Sequence, residues 1–250
     1  MDFTGKHVVI TGASSGIGRA TAERIAKEGG TVTLIARRAE VLEQVCKGIG
    51  DRASFVAADA GVKDDILYAL DTAVERNGPI DGLFLNAGTE GMFALTPDYT
   101  DDAFAEALLV NVWSLFWSVR HVLPDMIARK SGAILITGSL GAETGMVGNI
   151  GYCTSKHAAL GIARTIAMEA APHGVRCNSI APGFIDTPML SDVPESFKSQ
   201  MAKRVPQQRV GTSEEAASVA AFLLSDDASH VTAQSLAVDG GLLGTLMIEV

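Results

Sequence analysis

A tyrosine and a lysine four residues apart form the first chemically suggestive pair in the sequence. Tyr152 and Lys156 lie in a segment with helical character, where positions i and i+4 share one face. A free phenol titrates near pH 10, and a neighbouring ammonium group lowers the phenol pKa by stabilising phenolate. Tyr152 could therefore give a proton to a carbonyl oxygen or take one from an alcohol. Because the same spacing occurs on many structural helices, the pair by itself also fits simple packing.

Two more polar residues stand where such a reaction needs partners. Ser139 follows the β-rich run 133–137, so its hydroxyl is expected at the carboxyl edge of a sheet, where it could polarise a substrate oxygen. Asn111 interrupts the apolar stretch 107–113. A buried amide must find hydrogen-bond partners, so Asn111 is either a satisfied core residue or the holder of a water that relays protons to Lys156.

A glycine-rich segment, residues 11–18, lies between the first predicted strand and the helix that follows it. Its glycines let the backbone turn tightly and approach a pyrophosphate, and the helix N-terminus adds free N–H groups. The preceding strand and following helix are the context that separates a nucleotide-binding turn from an ordinary one. The residues expected to contact a dinucleotide here are Gly12, Ser14, Ser15, Gly16, Ile17 and Gly18.

The end of the second predicted strand bears on the choice of cofactor. A carboxylate at this point would hold the adenosine ribose hydroxyls and favour NAD. The sequence instead has Ala36 followed by Arg37 and Arg38, and a guanidinium group binds a 2′-phosphate through charge-assisted hydrogen bonds. NADP(H) is therefore favoured. NAD(H) is the alternative if one arginine stacks on adenine and the other stays in solvent.

Short β-rich runs alternate with helical patterns along the whole chain. Strands are predicted at 7–11, 31–36, 53–57, 82–85, 133–137, 175–181 and 235–238, and helices near 16–28, 39–47, 62–76, 101–129, 152–171 and 213–224. Several strands are apolar without alternation, as in parallel sheets covered on both faces. This predicts a single α/β domain, residues 1–250, with a doubly wound parallel sheet. The proline-containing stretch 188–208 is interpreted as a substrate lid, or else as an ordinary surface excursion.

Composition narrows the class of protein. A net charge of -9 argues against a nucleic-acid partner, since phosphate backbones select clustered Lys and Arg. The three cysteines have no metal-ligand spacing, so no metal site is expected. The start of the sequence lacks a secretory pattern, and the longest apolar stretch is too short to cross a bilayer. These features predict a cytoplasmic protein with no membrane partner.

Taken together, these motifs resemble the short-chain dehydrogenase/reductase family over essentially the whole chain. The spacing of Gly12, Gly16 and Gly18 is that family's, and Asn111, Ser139, Tyr152 and Lys156 match its catalytic tetrad. In the segment 85–88, Leu85 replaces the first Asn of the family's Asn-Asn-Ala-Gly. The further positions that match family cofactor contacts are Asp59 and its neighbour Ala60, Asn86, Ala87, Gly88, Pro182, Gly183, Ile185 and Thr187.

The resemblance implies a Rossmann-like fold and hydride transfer between a nicotinamide cofactor and a small-molecule secondary alcohol or ketone. Tyr152 would be the general acid/base, and Lys156 would also hold the nicotinamide ribose. Assembly as a homotetramer, or a homodimer, through the helices near 101–129 and 152–171 is implied as well. The apolar stretch 242–248 is expected to pack against another subunit, or over its own domain.

Two alternatives stay open from the sequence. A 3-oxoacyl-(acyl-carrier-protein) reductase belongs to the same family, although the negative net charge gives little support for an acidic carrier. A non-catalytic nicotinamide-nucleotide sensor could use the same fold, since fold does not fix function. The substrate is not named by any motif. The residues expected to shape its pocket are Thr89, Glu90, Leu140, Glu143, Asn149 and Phe184.

Overall fold

Seven parallel strands form the central sheet. The computed structural model describes residues 1–191 and 193–244. The strands are β1 (His7–Thr11), β2 (Thr31–Ala36), β3 (Ala53–Ala57), β4 (Gly82–Leu85), β5 (Gly132–Thr137), β6 (Val175–Pro182), the short pair β7 (Ile185–Asp186) and β8 (Gly211–Thr212), and β9 (Ser235–Val238). The helices are α1 (Gly16–Lys27), α2 (Ala39–Ile49), α3 (Lys63–Asn77), α4 (Asp101–Leu108), α5 (Ser114–Arg129), α6 (Ile150–Ala170), α7 (Glu195–Arg204) and α8 (Ser213–Leu224).

The strand order and direction bring the loops that follow the strands to one edge of the sheet. The main sheet runs β3-β2-β1-β4-β5-β6-β9, and every neighbouring pair is parallel. The seven carboxyl ends therefore meet at the same edge. The chain order reverses between β1 and β4, which is where open α/β sheets bind their ligands.

Two apolar clusters, one on each face of the sheet, hold the helices. In β1, Val9 joins the cluster beneath α3, α5 and α6, whereas Val8 and Ile10 join the cluster beneath α1, α2 and α8. This division follows from the alternation of side chains along a strand. It explains why β1 is buried throughout. The predicted doubly wound α/β fold is confirmed.

The elements predicted from the pattern are present, with some different boundaries. The helix expected over 101–129 is divided by a π-helical turn at Leu109–Trp113, and the helix expected from 152 begins at Ile150. Helix α7 was missed, because it is polar and buries none of its residues, so it has no apolar periodicity. It lies inside the segment interpreted as a lid. The part of the apolar stretch 242–248 beyond residue 244 lies outside the described residues.

None of the described helices is long and apolar enough to cross a membrane. Within residues 1–191 and 193–244, no group of three or more His, Cys, Asp or Glu side chains is arranged to hold a metal ion.

Candidate active site

The glycine-rich turn after β1 is packed too closely for side chains at two positions. Gly12 has a φ of +66°, and a Cβ on it would lie 2.9 Å from the backbone of Ala87. A Cβ on Gly18 would lie 2.6 Å from the Gly12 carbonyl oxygen. These contacts let α1 start directly against the turn, so that its first N–H groups face the sheet edge. The turn thus has the tight geometry that was expected, and pyrophosphate binding there stays a prediction.

Asn86 connects this turn to the neighbouring strands. Its side-chain Nδ2 donates to the carbonyl oxygens of Thr11 and Gly12, both at 3.3 Å, and its Oδ1 accepts from the Thr137 hydroxyl at 3.0 Å. The Thr11 hydroxyl accepts the backbone N–H groups of Asn86 and Ala87 at 3.0 and 3.1 Å. The ends of β1, β4 and β5 are therefore fixed to one another. Thr11 and Thr137 were not singled out by the sequence reasoning, because a threonine at a strand end carries no distinctive pattern.

The segment after β6 closes the other side of the turn. The backbone N–H of Gly183 bonds the Val238 carbonyl at 3.0 Å, and a Cβ on Gly183 would lie 2.7 Å from that of Asp239. Thr187 lies over the turn, since a Cβ on Gly16 would be 3.2 Å from its methyl group. Ile185 is buried in β7. Of the predicted contacts after β6, Thr187 therefore lies against the glycine-rich turn, whereas Gly183 packs on Asp239 and Ile185 lies in the apolar core.

The residues predicted to contact the adenosine half of the cofactor follow β2 and β3, at the other end of the carboxyl edge of the sheet. Arg38 Nη2 donates to the Ser14 hydroxyl at 3.1 Å, which brings its guanidinium against the glycine-rich turn. Arg37 is exposed and has no recorded partner among the described residues. Asp59 lies beyond the end of β3, where its Oδ1 accepts the Gly61 backbone N–H at 2.9 Å, and Ala60 lies between them.

Tyr152, Ser139 and Lys156 converge beyond the ends of β4 and β5. A Cβ on Gly141 would lie 3.4 Å from both the Ser139 hydroxyl oxygen and the Tyr152 ring. The Lys156 ammonium lies 5.6 Å from the centre of that ring and donates to the Thr137 carbonyl at 2.8 Å. The structure therefore brings together a phenol, a hydroxyl and an ammonium group from two elements, as the sequence predicted.

Burial sets the acidity of these groups. Burial raises the pKa of Tyr152 above its usual value, a hydrogen bond from Ser139 opposes that rise, and the charge of Glu90 adds to it. Burial also lowers the pKa of Lys156 to about 8. The prediction that Lys156 brings the phenol pKa down toward neutrality is thus wrong for the protein by itself. The ammonium is directed to the Thr137 carbonyl, and desolvation of the phenolate outweighs its attraction.

Asn111 acts as a clamp. Its side chain accepts from the Thr89 backbone N–H and donates to the Thr89 carbonyl, both at 2.8 Å, and also donates to the Ser155 hydroxyl at 2.9 Å. These hydrogen bonds satisfy the buried amide, as the first of the two interpretations expects, and the water-relay interpretation stays a prediction. Its position within the π-helical turn lets it join the loop after β4 to α6, immediately beside Lys156. π-Turns in α-helices are frequent at functional sites.

A second amide fixes the start of α6. Asn149 is buried, accepts the Tyr152 backbone N–H at 3.2 Å and donates to the Glu90 carbonyl at 2.9 Å. Helix α6 thus begins with a side-chain cap that also holds the loop carrying Glu90. Sequence reasoning placed Asn149 only among the residues shaping the pocket, although an Asn three residues before Tyr152 is a recognisable capping signal.

A cavity of about 530 Å³ lies at the other, amino-terminal edge of the sheet. Its lining includes Lys6, Asp81, Gly132, Arg176 and Asp226 and none of the predicted site residues. We place the candidate site at the carboxyl edge, because the phenol, ammonium and glycine-rich turn are assembled there.

Comparisons with known proteins agree with this architecture. A family model described as enoyl-(acyl carrier protein) reductase matches residues 12–243. Levodione reductase of Leifsonia aquatica is 35% identical over 96% of this chain and 94% of its own length. Cyclohexanol dehydrogenase of an Acinetobacter species is 35% identical over 95% of both chains.

Two further matches have the same extent. The 3-oxoacyl-(acyl-carrier-protein) reductase of Thermotoga maritima is 35% identical over 97% of this chain and 100% of its own. The crystal structure of levodione reductase superposes with a TM-score of 0.94, covering 97% of this chain and 99% of that one. On the family model and on identities above 30% over nearly full length, this chain belongs to the short-chain dehydrogenase/reductase family of oxidoreductases.

Proposed function

We propose that this protein interconverts a secondary alcohol and a ketone with a nicotinamide cofactor, using Tyr152 as the general acid/base. The observation that carries the proposal is the convergence of Tyr152, Ser139 and Lys156 at the sheet edge that also holds the glycine-rich cradle. The names of two relatives, a reductase of levodione and a dehydrogenase of cyclohexanol, support the reaction class.

The turn of Gly12 and Gly18 fits a dinucleotide, because both glycines pack directly against neighbouring protein atoms and so keep the turn tight at the start of α1, whose first N–H groups can bind a phosphate. The remaining contacts would come from Ser14, Ser15, Gly16, Ile17, Asp59, Ala60, Asn86, Ala87, Gly88, Pro182, Gly183, Ile185 and Thr187. When bound, the nicotinamide ring supplies the donor or acceptor of hydride and, in its oxidised form, a positive charge. That charge would favour the phenolate that burial disfavours.

The chain's own residues handle the proton. The Tyr152 hydroxyl gives its proton to the substrate oxygen during ketone reduction, and the Tyr152 phenolate takes the proton of the substrate hydroxyl during alcohol oxidation. Ser139, whose hydrogen bond lowers the pKa of Tyr152, orients the same oxygen. Lys156 holds its ammonium beside the phenol and would bind the nicotinamide ribose. Asn111 holds the loop after β4 against α6, at Ser155, the residue next to Lys156.

We infer a preference for NADP(H) over NAD(H). Strand β2 ends at Ala36 with no carboxylate, and the two following arginines lie where an adenosine ribose would extend. Arg38 already contacts Ser14 of the turn, and Arg37 is exposed. A guanidinium at this position binds a 2′-phosphate.

A reductase of carrier-bound 3-oxoacyl groups is the second candidate. The family model's description and the Thermotoga maritima relative favour it. Turnover of a 3-oxoacyl thioester at a rate well above that of free ketones would select this candidate. Cofactor binding with no turnover of any alcohol or ketone would instead select the sensor.

We also propose a homotetramer, with a homodimer as the alternative. Three large apolar side chains, Trp113, Phe116 and Met168, are 43–60% exposed on the helical layer of α5 and α6, and apolar surface of this kind favours subunit contacts. Sedimentation velocity distinguishes these assemblies from a monomer. A lid role for 188–208 and a cytoplasmic location stay predictions.

Replacement of Tyr152 tests the proposal directly. Tyr152→Phe removes the acid/base hydroxyl and keeps the ring, so the variant should fold, bind NADP⁺ and lose at least ~10²-fold in kcat for ketone reduction. Ketone turnover followed by NADPH consumption, with NADP⁺ affinity measured by calorimetry, provides both readouts. Near-normal kcat in a correctly folded variant would contradict the assignment.

A further inference from the structure

Glu90 lies next to the proposed acid/base without belonging to the tetrad. Its carbonyl oxygen accepts a hydrogen bond from Asn149 Nδ2 at 2.9 Å, and Asn149 Oδ1 accepts the Tyr152 backbone N–H at 3.2 Å. One buried side chain therefore bridges the two residues. The negative charge of Glu90 is close enough to contribute to the raised pKa of Tyr152.

The carboxylate of Glu90 has no recorded partner among the described residues. Neither a hydrogen bond nor an ion pair to its side chain is present there, although the residue is half-buried and burial raises its pKa. The nearby ammonium of Lys156 is directed to the Thr137 carbonyl instead. A partly desolvated carboxylate with no protein partner among the described residues is free to accept a hydrogen bond from a ligand that enters the site.

An apolar rim surrounds the same entrance. It is formed by two loops joined by a hydrogen bond from the Ala94 N–H to the Gly148 carbonyl at 2.9 Å. Its large apolar side chains, between 38% and 88% exposed, are Phe93, Leu95, Met146, Val147 and Ile150. Because Ile150 begins the helix that carries Tyr152, the rim lies at the mouth of the proposed site. Such a rim suits a substrate with an apolar body.

We infer that Glu90 selects substrates by charge, so that the site takes a neutral or cationic ketone with an apolar body and rejects one that carries an anionic group. The inference rests on the proposed function. A substrate hydroxyl or ammonium group would give the carboxylate the hydrogen bond that the protein does not provide. A substrate carboxylate would be repelled by it.

Three cyclohexanones that differ at carbon 4 test this inference with nearly constant shape: the carboxamide, the carboxylate and the aminomethyl compound. For the natural chain, we expect kcat/KM for the carboxamide to exceed that for the carboxylate at least ~10-fold, the scale of one like-charge contact. Glu90→Gln should bring that ratio to within ~3-fold and remove any advantage of the aminomethyl compound.

Glu75→Gln is the matched control, since it makes the same chemical change at an exposed position on α3. It should leave all three ratios unaltered. An unchanged carboxamide-to-carboxylate ratio in Glu90→Gln, or equal use of both by the natural chain, would overturn the inference.

Failure of the proposed function has a different signature, namely no turnover of any of the three ketones with either cofactor. In that case, calorimetric titration of the carboxamide and the carboxylate into NADP⁺-loaded natural protein decides the inference. Tighter binding of the carboxamide would support charge selection, and equal affinities would overturn it.

Discussion

Burial of the Lys156 ammonium makes this residue a source of instability that can be measured. Its pKa falls from the usual 10.5 to about 8 because of burial. At about 1.4 kcal/mol per pKa unit, this fall corresponds to about 3 kcal/mol of lost stability at neutral pH. Replacement by Met keeps an unbranched side chain of similar length and removes the charge. It also removes the charge-assisted hydrogen bond to the Thr137 carbonyl, worth about 2 kcal/mol.

We therefore expect Lys156→Met to stabilise the cofactor-free protein by about 1 kcal/mol at pH 7, the difference between those two magnitudes. The gain depends on pH in a definite direction. Below pH 8 both the folded and unfolded chains carry the lysine proton, so the natural protein is penalised in full. As pH rises from 8 to 10.5, the folded chain releases this proton first, and the natural protein regains stability relative to the variant.

Urea unfolding of both proteins between pH 7 and 10.5 measures this difference, and general alkaline destabilisation cancels between them. Lys27→Met, at an exposed position on α1, serves as the control and should show a difference that does not vary with pH. A variant that is less stable at pH 7, or a difference that stays constant across this range, would refute the claim that folding desolvates the Lys156 ammonium.

Two other substitutions examine the cofactor cradle. Arg37→Ala should raise the Kd of NADP⁺ about tenfold or more by removing a phosphate contact, with a much smaller effect on NAD⁺. Arg52→Ala is the control, since Arg52 is exposed and directly precedes β3, at the amino end of that strand. Equal losses of affinity for both nucleotides would defeat the NADP assignment. Gly18→Ala should weaken binding of both nucleotides and lower Tm, because the new Cβ would lie 2.6 Å from the Gly12 carbonyl oxygen. A variant with normal nucleotide affinity and normal Tm would show that the turn is less tightly packed than described.

Local sequence was sufficient for the framework of this protein. Strands such as β1 and β4 are short apolar runs bounded by polar residues, so their type and position follow from hydrophobicity alone. The glycine-rich turn and the Tyr152–Lys156 pair are defined by spacings of a few residues, which helix and turn geometry convert directly into proximity. These features depend on residues that are close together in the sequence. Their order along the chain is the order found in the family that the chain resembles.

Only the tertiary structure decided those properties that depend on contacts between residues far apart in the sequence, namely pKa shifts and hydrogen-bond partners. The direction of the Tyr152 pKa shift depends on how deeply the folded chain buries the phenol, and it is opposite to the direction predicted from Lys156 alone. The same holds for the hydrogen bonds by which Asn86 and Asn111 join separate elements. It also holds for the Glu90 carboxylate, which has no partner among the described residues. Local spacing fixes which residues are near one another along a helix or turn. Desolvation and hydrogen-bond partners are set by the whole fold, since they depend on what packs against each group.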